Sequence, residues 1–103
     1  MVKKYFISSL LLLSAHLSAD EVYPVAIIGG GVGGLTAGIY LGRANIKNLL
    51  IEGPKPGGAL AQSPSVQNWP GELDIPGHEL IEKIHNQAEK SGTQFSQEEV
   101  VSV

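Results

Sequence analysis

The stretch Ile27-Ile28-Gly29-Gly30-Gly31-Val32-Gly33-Gly34-Leu35-Thr36-Ala37 decides how this chain is read. An apolar run, Val25 to Ile28, enters a cluster of glycines and leaves it as a helix-like segment. Gly29, Gly31 and Gly34 satisfy G-x-G-x-x-G. Each answers a separate physical demand. Gly29 lets the chain leave a buried strand in a tight turn. Gly31, with no Cβ, lets a pyrophosphate approach the backbone. Gly34 lets the helix lie close to the strand. The free N–H groups and the dipole of the helix N-terminus then face negative phosphates. On its own the motif also describes a flexible glycine loop.

The context favours the dinucleotide reading. A second apolar run, Asn48-Leu49-Leu50-Ile51, ends in Glu52, which lies 18 residues beyond Gly34 and 23 beyond Gly29. A dinucleotide fold wants a carboxylate at about this distance, at the tip of the second strand, to accept hydrogen bonds from the adenosine ribose. The plainer alternative for Glu52 is a solvated carboxylate at a strand end.

The rest of the chain is read outward from that unit. Tyr23 to Ile28 is expected as a short strand covered on both faces. Leu35 to Ala44 is expected as a helix with a small, apolar surface, ended by Asn45 in a left-handed conformation. Strand, crossover helix and parallel strand make a βαβ unit. Gly53 to Gly71 is rich in glycine and proline and has little periodicity. It reads as a long irregular segment placed to run along a bound dinucleotide, or as a plain surface loop. Trp69, the only tryptophan, reads as a core or hinge aromatic before a stacking one. His78 to Lys90 is expected as an amphipathic helix with Leu80, Ile81, Ile84 and Ala88 on one face and Gly92 as its stop. His78 and His85 read as surface residues, since no third metal ligand stands near. Thr93 to Phe95 and Val100 to Val103 read as short strands.

Composition narrows the classes. With 103 residues the chain holds one small domain at most. A formal net charge of −3 and no basic block argue against nucleic acid as a partner. The sequence contains no cysteine, so it carries neither a disulfide nor a thiol redox centre of its own. Residues 1–19 read as a secretory signal peptide: Lys3 and Lys4 make a basic start, Tyr5 to Leu13 is largely apolar, and small residues precede Asp20. The implied location is periplasmic or secreted. The alternatives are a membrane anchor, or a cytoplasmic protein with a misassigned start. Residues 22–103 then form the globular part.

From Pro24 to Val103 the sequence resembles the N-terminal part of bacterial thioredoxin reductases of the low-molecular-weight, FAD-dependent type. The resemblance rests on four segments: Ile27 to Leu35; Gly42-Arg43-Ala44-Asn45 with Leu49-Leu50-Ile51-Glu52-Gly53; Pro56-Gly57-Gly58-Ala59-Leu60 followed by Val66-Gln67-Asn68-Trp69-Pro70-Gly71; and Gly77-His78-Glu79-Leu80. It implies an α/β, Rossmann-like FAD/NAD(P)-binding domain, with a parallel sheet and flanking helices, truncated at its C-terminal side. It implies FAD as the cofactor. Gly29, Gly31, Val32, Gly33 and Gly34 would hold the pyrophosphate and Glu52 the ribose, with Gly57, Gly58, Leu60 and Asn68 along the flavin end. In such enzymes electrons pass from NADPH to FAD, then to a Cys-x-x-Cys pair, then to a thioredoxin disulfide. The NADPH site and the cysteine pair are expected outside this sequence, which is expected to be a fragment or the product of a broken gene, inactive alone. A homodimer is compatible with the resemblance. The sequence departs from the family pattern at Ala59, where glutamine is usual, and at Ala61 to Ser65 and Gln67, where threonines and acids are usual. The rival readings are a fragment of a ferredoxin–NADP reductase-like flavoprotein and a non-catalytic exported remnant.

Overall fold

The computed structural model of the chain describes residues 4–6 and 22–103. The segment read as a signal peptide or anchor, residues 1–19, lies outside the described residues apart from Lys4–Phe6. Among the described residues no helix is long and apolar enough to cross a membrane. The elements run β1 (Lys4–Phe6), β2 (Val25–Ile28), α1 (Val32–Arg43), β3 (Asn48–Glu52), α2 (Gly77–Ser91), β4 (Gln94–Gln97) and β5 (Glu99–Ser102). A 3-10 turn, Gly58–Gln62, sits in the connection between β3 and α2.

Three strands form the central sheet in the order β2-β3-β4, all parallel. Val25 to Ile28 pair in register with Asn48 to Ile51, and Leu49 to Glu52 with Gln94 to Gln97. Parallel neighbours need a crossover, and α1 and α2 supply the two crossovers. β1 and β5 make a separate parallel pair. The result is an α/β fold with the parallel sheet and flanking helices of a Rossmann-like domain.

Small residues let the two helices approach each other and the chain beyond them. A Cβ on Gly38 would press on the Thr93 side chain, and one on Gly42 would run into the Ser91 carbonyl. Leu35 of α1, Leu50 of β3, and Leu80, Ile81, Ile84 and Ala88 of α2 form one buried cluster with Val66 and Ile75. Burying a leucine or isoleucine contributes about 1.5–3 kcal/mol, so the four α2 residues are what fix that helix to the sheet. Its charged residues are exposed on the opposite face, as an amphipathic helix requires.

Element boundaries differ from the sequence reading for identifiable reasons. β2 starts at Val25, because Pro24 has no N–H to give to the ladder. α1 starts at Val32, three residues earlier than the apolar pattern suggests, because Gly31 already accepts the first helical bond, from the Leu35 N–H at 3.0 Å. Asn45 ends α1 at φ 59°, as expected. β3 extends to Glu52, which pairs with Gln97. The irregular segment carries more structure than its composition suggests. Besides the 3-10 turn, Val66 and Ile75 form an antiparallel bridge and are 5% and 4% exposed.

Candidate dinucleotide-binding site

The site begins at the end of β2. Gly29 adopts φ +114°, open to glycine and strained for other residues, and donates its N–H to the Ile51 carbonyl at 3.0 Å. This bond stitches the turn to the tip of β3. The chain then enters α1 with Gly31 at the N-cap in extended backbone, with no side-chain cap and no acidic residue in the first turn. The N–H groups of Val32, Gly33 and Gly34 have no carbonyl within the helix to bond, since Leu35 is the first to reach back. Three donors and the positive end of the helix dipole are therefore left without a protein anion.

The glycines divide by what surrounds them. Cβ atoms on Gly29, Gly31 and Gly33 would meet nothing within 4 Å. The backbone there is open to a molecule that comes close. A Cβ on Gly34 would strike the Gly29 carbonyl oxygen, so this glycine serves the packing of α1 against the turn. Space above the turn and a close helix beneath it are the two conditions for a pyrophosphate to reach the helix N-terminus.

Glu52 completes the arrangement. As residue i+2 from Leu50 in β3 it points to the same side as Leu50, toward the helices. It is 8% exposed, and its Oε1 is buried without a hydrogen-bond partner. A buried carboxylate oxygen with no donor is costly and calls for a ligand group to satisfy it. Ribose hydroxyls are donors of the right kind. The residues therefore fit a nucleotide bound with its phosphates at Gly29–Gly34 and its ribose at Glu52.

Two neighbours of Glu52 escape the motif. Gly30, an unspecified position in G-x-G-x-x-G, leaves room for the carboxylate side chain: a Cβ there would lie 2.9 Å from Glu52 Cγ. His85 is half-buried rather than a surface residue. Its ring stacks on Phe95 with centroids 3.9 Å apart and planes at 22°, and its Nε2 lies 3.3 Å from Glu52 Oε1. This corrects the surface reading, and the signal was available. His85 stands four residues after Ile81 and three before Ala88, on the buried stripe of α2. His78 is exposed, as expected.

The other expected site residues are brought in unequally. Gly57 and Gly58 both have positive φ, 88° and 62°, and fold the 3-10 turn back so that a Cβ on Gly58 would lie 3.6 Å from Gly31 Cα. Gly58 thus borders the phosphate turn. Leu60 packs against the buried cluster, and its carbonyl meets Gly77 at the start of α2. Asn68 is exposed beyond Val66, and none of the described hydrogen bonds joins it to the Gly29–Gly34 turn. Trp69 packs on the core cluster.

Comparison with known proteins agrees with this geometry. Residues 23–103 match the family profile described as pyridine nucleotide-disulphide oxidoreductase. The thioredoxin reductase of Bacillus subtilis is 39% identical over 87 residues, which are 84% of this chain and 28% of that protein. Among solved structures, the thioredoxin reductase of Lactococcus lactis superposes with a TM-score of 0.70 at 37% identity, covering 74% of this chain and 25% of the other. That of Giardia duodenalis gives 0.72 at 38% identity, covering 76% and 25%. The chain spans about a quarter of the length of these relatives. With the profile running through β2, α1, β3, α2 and β4, the chain belongs to the pyridine nucleotide-disulphide oxidoreductase family.

Proposed function

We propose that residues 22–103 are the N-terminal part of the FAD-binding domain of a thioredoxin reductase-like flavoprotein, one that transfers electrons from NADPH through FAD to a disulfide. The observation that carries the reading is the pairing of an uncapped helix N-terminus with a buried carboxylate that lacks a donor, the two joined by the Gly29–Ile51 bond. The named relatives support FAD chemistry and thioredoxin as the acceptor in the whole protein.

When bound, FAD supplies the two-electron chemistry that links a nicotinamide to a disulfide. This chain's own residues bind and orient. The N–H groups of Val32, Gly33 and Gly34 hold the pyrophosphate, Gly29 and Gly31 keep the backbone clear for it, and Glu52 accepts from the ribose. Gly57, Gly58, Leu60 and Asn68 border the flavin end. No cysteine is present in the sequence to take the thiol step.

The test is FAD titration of the full chain, followed by flavin fluorescence. Saturable binding that weakens in Glu52→Ala supports the reading, and no binding to the unaltered chain overturns it. NADPH oxidation with FAD and thioredoxin added stays at the free-flavin background. We also propose export directed by residues 1–19, with membrane anchorage or a cytoplasmic product as its rivals. N-terminal sequencing of the native protein decides, because cleavage after Ala19 leaves Asp20 first and removes β1.

A further inference from the structure

We infer that His85 is the positioning residue for Glu52: it holds the carboxylate at the ribose end of the site while leaving the acceptor capacity of Oε1 to the nucleotide. The inference rests on the dinucleotide reading above and adds to it a residue outside the glycine motif and its distal carboxylate. Three observations converge. Glu52 Oε1 is buried, and His85 Nε2 lies 3.3 Å away. The approach does not have hydrogen-bond geometry, so Oε1 keeps its lone pairs for another donor. His85 is itself held, since its ring is stacked on Phe95 of β4 and its backbone lies within α2.

The Glu52 side chain is consequently confined between two elements. Gly30 leaves room for it where a Cβ would lie 2.9 Å from Glu52 Cγ, and the imidazole bounds the carboxylate from α2. The imidazole Nε2, 3.3 Å from Oε1, is a polar neighbour that restricts the carboxylate without forming a hydrogen bond to it. It therefore confines Glu52 without consuming the bond that a ribose hydroxyl needs. Phenylalanine at this position would keep the stack on Phe95 and lose the N–H. Glutamine would keep a donor and lose the stack.

The experiment reads ribose recognition directly. ADP and its 2′,3′-dideoxy form are titrated into the unaltered full chain, His85→Phe, His85→Gln and Glu52→Gln, with the melting temperature of each recorded. The unaltered chain is expected to prefer ADP. His85→Phe is expected to lose roughly tenfold in ADP affinity, the scale of one charge-assisted hydrogen bond made poorly, with little loss for the dideoxy form. His85→Gln recovers part of the preference. Glu52→Gln combined with His85→Phe loses no more than Glu52→Gln alone. A loss of equal size for both nucleotides, or an unchanged preference in His85→Phe, overturns the role of His85. Should His85→Phe fail to fold, absence of any ribose-dependent change in His85→Gln overturns it equally. If the unaltered chain binds neither nucleotide, the dinucleotide reading falls and takes this inference with it. If it binds both alike, Glu52 leaves the ribose site.

Discussion

Residues 25–52 and residues 53–77 use glycine differently. In the first region Gly29, Gly31 and Gly33 face open space, while Gly30, Gly34, Gly38 and Gly42 are crowded by Glu52, Gly29, Thr93 and Ser91. In the second, a Cβ on Gly57 would press on Ala61 at 2.8 Å and Ile81 at 3.0 Å, and one on Gly77 would collide with the Leu60 carbonyl. Gly29, Gly31 and Gly33 keep a surface clear for a ligand, whereas Gly57 and Gly77 let irregular backbone pack against α2. Their cohesion differs too. The first region is held by a continuous parallel register from Val25↔Asn48 to Ile28↔Ile51. The second is held by the Val66–Ile75 bridge and by the Gly77 N–H donated to the Ser63 carbonyl at 2.8 Å. A continuous ladder forms cooperatively, whereas isolated bonds open separately, so the second region is expected to loosen first.

The largest effect comes from breaking what the two regions share. Leu80 is 2% exposed and belongs to the same buried cluster as Leu50 of the first region and Val66 and Ile75 of the second. Leu80→Ala should cost about 2–5 kcal/mol, as leucine truncations in packed cores do. For a chain this small that is a large part of the total stability. Urea denaturation should show a lower midpoint by every probe. Loss confined to the second region would show that α2 couples the two less tightly than the cluster implies.

A paired substitution separates the glycines that clear space from those that pack. Gly34→Ala drives a methyl group into the Gly29 carbonyl and should cost at least the about 1–3 kcal/mol of ordinary overpacking. Gly33→Ala meets nothing and lies within a helix, where alanine is favoured over glycine by about 1 kcal/mol. It should leave the melting temperature unchanged or raise it, while weakening FAD binding by intruding on the phosphate position. Equal thermal loss in both variants would erase the distinction.

The same contrast explains what was legible in the sequence. Gly29, Gly34 and Asn45 answer local backbone demands, and local demands leave their mark on neighbouring residues. The place of Glu52 at the tip of β3 was legible because the length of a βαβ unit fixes how far the second strand tip lies from the turn. The Val66–Ile75 bridge was not legible, because two lone apolar residues nine apart carry no period. His85 was overlooked for a different reason. Its place on the buried stripe of α2 was visible, but its partners Glu52 and Phe95 come from different strands, and only the β3–β4 pairing brings them together. Gly30 escaped because the motif leaves its position unspecified and its neighbour is 22 residues away.

Glu52→Ala tests whether a residue can matter to the ligand and not to the fold. Its Oε1 has no hydrogen bond to lose, and removing a buried charge relieves a desolvation cost. The melting temperature should stay level or rise. FAD affinity should fall roughly 10- to 100-fold, the equivalent of about 1.5–3 kcal/mol for a hydrogen bond to a charged group. A fall in melting temperature without FAD would make Glu52 a structural residue of the β3 tip.

The smallest effect is expected at the surface of the second region. Asp74 accepts from Ser65 Oγ at 2.7 Å and from Gln67 Nε2 at 3.2 Å, tying the two arms of the segment beside the Val66–Ile75 bridge. All three residues are exposed, so water competes for each bond. Asp74→Ala should therefore change global stability by less than about 1 kcal/mol. Its consequence should be local. With the clasp gone, the bridge opens more often, and limited proteolysis should cut within residues 63–76 faster while the urea midpoint stays almost fixed. Val66→Ala, which removes buried surface from the same bridge, should speed cleavage and lower the midpoint together. If Asp74→Ala also lowers the midpoint as far as Val66→Ala does, the exposed clasp is as much a part of the folded core as the buried bridge, and the two regions are held by the same kind of interaction after all.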